Sequence, residues 1–584
     1  MKKTLKFLVA AFVIVAISSS CGLSKMVKKY DEVKYEVTPN VLETHGRKVS
    51  VTVKGSFPEK YFHPKVVVEF TPILKWDGGS VTLKTQKLQG EKVEGGDGIV
   101  ISKKNGGSFT FADVVDYKPE MNSSELTVEC MATKGKKTVS LGEIKLADGV
   151  IYTSERVAKS EVVSLAAHGY EKEVIIKKSA NLYFAYNQSV YSAYLDLNKS
   201  EESKAQMQEL EDFIAQNWKI KSIDINAWAS PEGEEAYNAD LSQDRANTGE
   251  KYIINYFKNY YRTLAREKKK KVEEVEQELN INAVAKGEDF DGFMSAVQQS
   301  SLEEKQTIIN VIKNQPEKAQ REQEIKNMTV IYAEIEAILK ALRRAEIVVS
   351  CYEPKRTDEN IAMLSTTHPD SLLVEELLFA ATLTEDLDTK LKIYKSCTEL
   401  YSDNWRGYNN AGYVLLKQGN LAEAKTYIEK AQNLAPNEGE VLNNLGIVAS
   451  WEEDFDQAKT YYESAQGKGI SENYNLGILK IRAADYAGAI SLFSAKSCDY
   501  NLALAQLLSG GNDAAVKTLE CISNKTAADH YLMAIAGARG GNASMMTDNL
   551  KKACQMDADY KAQAKEDREF LKYFDNADFQ NAIK

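Results

Sequence analysis

The stretch "YNNAGYVLLKQGNLAEAKTYIEKA", Tyr408 to Ala431, decides the fold of the C-terminal third of the chain. Its apolar residues recur at helical spacing on either side of "KQGN", so it reads as two helices joined by a tight turn. The pattern returns as "LNNLGIVASWEEDFDQAKTYYESA" (Leu442–Ala465) and "YNLGILKIRAADYAGAISLFSA" (Tyr474–Ala495). Gly412 to Gly446 is 34 residues and Gly446 to Gly477 is 31. Ala424, Ala458 and Ala489 each follow their glycine by twelve. Small residues on both helices allow a close crossing, and Ile428, Tyr462 and Phe493 fill the space above it.

The period resembles that of the tetratricopeptide repeat. The resemblance implies an all-α solenoid over 371–584. "LLFAATLTEDLDTKLKIYKSC" and "LMAIAGARGGNASMMTDNLKKAC" read as degraded flanking repeats, and "DADYKAQAKEDREFLKY" as a polar capping helix. In such repeats the first helix of each hairpin lines a concave groove. Asn410, Asn444 and Asn475 hold one position in three successive repeats, with Tyr413 and Trp451 beside them. The resemblance implies an Asn ladder that bonds the backbone of an extended peptide, because an amide offers both a donor and an acceptor. The other reading of the same residues is that Asn suits an exposed helical turn.

Residues 30–178 read as short alternating strands, among them "KVSVTVKGSF", "SFTFADV" and "ELTVECMAT", which implies an all-β sandwich. Residues 179–353 alternate strand and helix, an α+β pattern interrupted by the charged run "REKKKKVEEVEQELN", read as a solvated helix. "SPEGEEAYNADLSQDRA" followed by "LRRAEI" resembles the OmpA-like domain, in the long form found in Bacteroidota. That family holds the diaminopimelate of peptidoglycan with an Asp and an Arg. The resemblance places Gly233, Asn238 and Arg245 on the motif, but Ser230 stands where the Asp is expected. Arg245 either meets a ligand or bonds loop carbonyls. A linker over 354–370, opening in "EPKRTDEN", joins this domain to the repeats.

The N-terminus bears on location. "MKK" followed by the apolar run Phe7–Ile17 has the form of a secretory signal over 1–20, too short to span a bilayer. "SSSC" closes on Cys21 and resembles a bacterial lipoprotein box, which implies lipid on Cys21 and a tether over 21–29. Lysines follow Cys21 where surface-exported lipoproteins carry an acidic tag, so the expected site is the periplasmic face of the outer membrane. The net charge of −10 argues against nucleic acid as a partner, since phosphate contacts need clustered Lys and Arg. No Cys or His cluster has metal-ligand spacing, and no nucleophile sits with a base. The six cysteines after Cys21 are scattered and read mostly as core residues. The expectation is a non-enzymatic, lipid-anchored scaffold for an envelope assembly or secretion complex. It has no cofactor beyond the lipid, and protein partners through the repeats. The alternative is a tether from the outer membrane to peptidoglycan.

Overall fold

The computed structural model describes residues 22–331, 333–470 and 473–584. The signal segment and Cys21 lie outside the described residues. Two compact units divide the chain. One joins the residues up to Ala167 to Thr384–Lys584, and the other is His168–Leu383.

The β-rich region owes its form to alternation. In Lys48–Phe57 every second side chain, Val49, Val51 and Val53 among them, points inward. This strand pairs antiparallel with Gly107–Asp116, placing Val53 opposite Phe111. Ser124–Lys134 and Lys137–Ile151 form a hairpin through Gly135, whose φ of +60° suits glycine. The expected two-sheet sandwich is instead one curled ten-stranded sheet. It is continuous because Val41–His45 pairs with Lys48–Phe57 on one side and Lys137–Ile151 on the other. Phe57, Phe62, Phe70, Phe109 and Phe111 fill the shared core, with the Phe70 and Phe109 rings 4.9 Å apart. The segment 21–29 is no free tether where it is described. Leu23–Lys28 is helical, and Leu23 and Met26 are buried in this same core. Strands also do not run unbroken to 178: after Ile151 a short helical turn, Thr153–Glu155, leads into a stretch that no strand pairs with until Ile175.

The repeats pack as read. Helices Trp405–Lys417 and Leu421–Leu434, then Gly439–Trp451 and Phe455–Gln466, then Asn473–Arg482 and Tyr486–Leu492, form successive hairpins. Asn420, Asp454 and Asp485 cap the second helices with their side chains. The glycines are required by contact. A Cβ on Gly412, Gly446 or Gly477 would lie 2.3–2.4 Å from Ile428, Tyr462 or Phe493. Two further hairpins follow, Tyr500–Leu508 with Asn512–Glu520 and Ala527–Arg539 with Ala543–Met556. Phe570 and Phe579 close the stack from beyond them. Cys130, Cys351, Cys397 and Cys554 are buried in the core, but Cys498 and Cys521 form a disulfide.

The second unit is a four-stranded sheet in the order Ile175–Tyr183, Arg344–Tyr352, Ile220–Ala229, Ile281–Glu288. Helices Glu201–Ala215 and Glu235–Lys268 pack on it over Phe213, Ile225, Ile253 and Phe257. The charged run is not a separate solvated helix. The long helix ends at Lys268, Lys269 turns into the left-handed region, and the strand Ile281–Glu288 follows. Four helices between Phe290 and Leu342 surround a core of their own around Phe293, Ile308, Ile325 and Leu339. The expected linker 354–370 contains the helix Asp358–Thr367, and the unit holding the repeats begins at Thr384 rather than 371.

The disulfide closes a loop of 23 residues within the stack. Changing Cys498 and Cys521 together to Ser is expected to lower stability by about 3 kcal/mol under non-reducing conditions, through the entropy returned to the unfolded chain. Urea unfolding with and without reductant checks this: reductant should weaken the parent chain and leave the double variant unaffected.

Candidate peptide-binding groove

Asn410, Asn444 and Asn475 do line one groove, and the groove already holds a peptide. It is the chain's own segment Val157–Ala167, the extended stretch between the β-rich region and the second unit. The Ala166 N–H donates to Asn410 Oδ1 at 2.8 Å, and Asn410 Nδ2 donates to the Ala166 carbonyl at 3.0 Å. Ser164 is held in the same two-way manner by Asn444, at 2.8 and 2.7 Å. Asn475 does so for Val162, at 2.7 and 3.0 Å. A fourth asparagine, Asn501, holds Ala158 at 2.9 and 3.0 Å. The strap therefore runs antiparallel to the order of the repeats.

Neighbouring amides fix the ladder. Asn444 donates to Asn409 and Asn475 donates to Asn443, both at 3.0 Å. Asn409 and Asn443 add further bonds to the Ser164 and Val162 carbonyls. None of these six asparagines is more than 1% exposed, which sets aside the exposed-turn reading. Asn501 was missed because its repeat carries Ala503 where the others have glycine; the "YNL" shared with Tyr474–Leu476 was the available signal.

Side chains complete the fit. Val157 is buried among the last repeats, and Val162 and Val163 are half-buried against the stack. Glu161 is buried, accepting from Ser450 Oγ at 3.0 Å and Trp451 Nε1 at 2.8 Å. Trp451 is thus engaged with the strap. Tyr413 is half-buried with the Lys417 ammonium 5.9 Å from its ring centre. Upstream, Arg156 pairs with buried Asp567 at 2.7 Å between the rings of Tyr152 and Tyr531. Burial works against its charge, but Asp567 together with the surrounding tyrosines Tyr531, Tyr152 and Tyr500 outweighs it and holds the guanidinium above its ordinary range. The sheet joins the same contact: Arg539 bridges Glu43 and Glu569, and Arg47 reaches Glu453 at 2.8 Å.

The second unit gathers the other predicted residues into a closed network. Arg245 is 1% exposed. It donates to the carbonyls of Gln188 at 3.0 Å, Trp228 at 2.9 Å and Ala185 at 3.4 Å. Of its two open roles, the structure places it on loop carbonyls. Burial, and then the nearby Arg343, lower its pKa to about 10. Ser230 donates to Glu232 at 2.7 Å, and Arg343 donates to both. Asn238 donates to the Ser230 carbonyl and to Glu288 at 2.7 Å. Gly233 leaves room for that amide, since a Cβ there would lie 3.0 Å from it. Ser230, Glu232, Asn238 and Arg245 are all buried; Ser230 links Glu232, Asn238 and Arg343, whereas Arg245 is held by backbone carbonyls alone. Among the described residues no group of His, Cys, Asp or Glu is arranged to hold a metal.

What the groove can do is therefore to hold an extended backbone. Residues 405–438 are a tetratricopeptide repeat. No curated relative matches the chain. Solved structures overlap its helices loosely. The type IV pilus biogenesis factor PilW is 13% identical, covering 40% of this chain and 100% of its own, with a TM-score of 0.27. A tetratricopeptide repeat protein from Parabacteroides merdae is 15% identical, covering 43% and 98%, with a TM-score of 0.29. YrrB, a repeat protein with an unusual peptide-binding site, is 20% identical, covering 36% and 100%, with a TM-score of 0.21.

Two outcomes follow from this geometry. Replacing Asn410, Asn444 and Asn475 together by Ala removes six bonds to the strap backbone, each worth about 1 kcal/mol net. The variant should unfold at lower urea, and trypsin should cut faster after exposed Lys159; an unchanged cutting rate would place the strap's hold elsewhere. In the second unit, burial raises the Glu288 pKa to about 7, against the Asn238 bond that lowers it. The neutral acid is the form the fold favours, so its contribution is complete below the ordinary carboxylate range and is lost as pH rises through about 7. Glu288→Gln should slow hydrogen exchange in Glu235–Lys268 at pH 8 and make no difference near pH 4.5, once the intrinsic rates are corrected for pH.

Proposed function

We propose that the chain is a lipid-anchored scaffold on the periplasmic face of the outer membrane, built to bind proteins rather than to catalyse. The observation that carries this is the repeat stack with its peptide-holding groove, fastened to the β-rich region as one unit. Tetratricopeptide repeats serve protein–protein interaction, and these bury glycines and alanines to build a surface rather than a pocket. Three features support export and anchoring. The apolar run and Cys21 have lipoprotein form. The Cys498–Cys521 disulfide belongs to an oxidising compartment. Leu23 and Met26 dock into the β core, so a lipid on Cys21 would hold that region against the bilayer. Within this reading the second unit is an OmpA-like domain, as its "SPEG", "LSQDRA" and "LRRAEI" motifs imply. Its role here is docking rather than wall binding. Diaminopimelate needs an exposed anion and an exposed guanidinium, whereas Glu232 is paired with Arg343 and Arg245 is spent on carbonyls.

Cys21→Ala is the direct test. The parent chain should incorporate labelled fatty acid and sediment with outer membranes, and the variant should do neither. Labelling that survives the substitution would overturn the anchor. Crosslinking in intact cells, with photoreactive groups on the convex face of the repeats, should capture envelope proteins; a clean absence of partners would overturn the scaffold.

A further inference from the structure

The paired bonds of Asn410, Asn444, Asn475 and Asn501 all go to strap backbone, and the asparagines touch strap side chains only at the Ser164 and Ser160 hydroxyls, so the ladder reads little sequence. An extended chain presents equivalent N–H and C=O groups at every second residue, so the ladder alone does not fix which residues it holds. One strap side chain is bound through both carboxylate oxygens by groove side chains. Glu161 places one oxygen on Ser450 Oγ and the other on Trp451 Nε1. Lys159 lies over the Trp451 ring at 5.5 Å, packing the indole from the strap side. Arg482, whose charge burial opposes, is supported by Glu155 first and by Glu161 as well. The residue after Glu161 is Val162, gripped by Asn475.

From this we infer that the Ser450–Trp451 pair is an acid-reading subsite, which selects peptides with a carboxylate immediately before the residue held by Asn475. The cis strap satisfies it with Glu161 and so guards the groove. The partner that fits is an extended segment with Glu at that position and no proline where the asparagines need an N–H, at the places of Ala158, Val162, Ser164 and Ala166. The inference rests on the repeat groove being a binding surface, as proposed above, and adds what it selects. A free peptide competes with a tethered strap whose effective concentration is in the millimolar range, so binding in trans is masked in the parent chain.

The test uses the full chain and a fluorescent peptide copying residues 157–167. Against Glu161→Lys the peptide should bind about ten- to a hundredfold more tightly than against the parent, since the cis competitor has lost a charge-assisted bond and carries a repelled group. Glu161→Gln should fall between them, and circular dichroism should show both variants folded. A peptide with lysine in place of its glutamate should bind none of the three chains. Adding Ser450→Ala and Trp451→Phe to the Glu161→Lys chain should let the two peptides bind alike. Equal binding of both peptides to Glu161→Lys would overturn the subsite. Failure of the glutamate peptide to bind either folded variant would overturn exchange and make the strap a permanent splint. Either failure leaves the fatty-acid labelling and the crosslinking untouched, so the scaffold reading stands or falls separately.

Discussion

An extended segment laid on helices faces a backbone problem. Its N–H and C=O groups are drawn away from water, yet the helices beneath have already spent their own backbone groups internally. Four asparagines solve it, because one side-chain amide supplies the donor and the acceptor that a neighbouring strand would have offered. The spacing works because three successive first helices meet alternate residues of the strap, Ala166, Ser164 and Val162, which share one face. The fourth step is longer. Between Val162 and Ala158 the chain folds Ser160 N–H back onto the Ala158 carbonyl, and the Ser160 hydroxyl meets Tyr474 and Asn501 instead. On this ladder depends the union of a β-rich region with a helical stack more than two hundred residues downstream.

Half-buried guanidinium groups mark where that union is fastened, and a fully buried one in the second unit is treated differently. Arg156 and Arg539 are paired with the carboxylates Asp567 and Glu569 at the junction of sheet, strap and repeats. Pairs of this kind return little net stability after desolvation, but breaking one leaves a bare charge in the interior, so they penalise every wrong docking. Arg245 in the second unit has carbonyl dipoles as its acceptors instead. Its charge is tolerated less well there, and it serves to close the loop Ala185–Ser189 over the strand Ile220–Ala229.

The repeats were legible because their signal is local and periodic: Gly412, Gly446 and Gly477 each meet a bulky residue sixteen positions on. The strands were legible by alternation, as at Val49, Val51 and Val53. What could not be read was long-range. "RVAKSEVVSLAA" follows a run of strands and looks like another, and nothing in its own spacing says that its partners are side chains 244 to 343 residues away. The asparagines announced a peptide ligand without saying that it came from the same chain. The strand Ile281–Glu288 was hidden by the lysine-rich run before it, whose composition favours helix although Lys269 ends one. In the second unit the motif residues were found, but Glu232 and Arg343 could not be placed, since a loop's direction is set by the elements that close around it.

A groove that reads backbone binds many peptides and distinguishes few, so its selectivity has to come from elsewhere. Two sources are present. One is chemical: of the strap's side chains, Glu161 alone has both ends of its polar group held by groove side chains, Ser450 and Trp451. The other is connectivity. A segment joined at both ends to folded units reaches the ladder before any free peptide at ordinary concentration can, and it loses little further freedom on binding. The strap thus converts a permissive surface into a guarded one without covering it by a separate lid. The same tether lets the groove contribute to the fold, because every bond that a free ligand would spend on affinity is spent here on holding sheet and helices together.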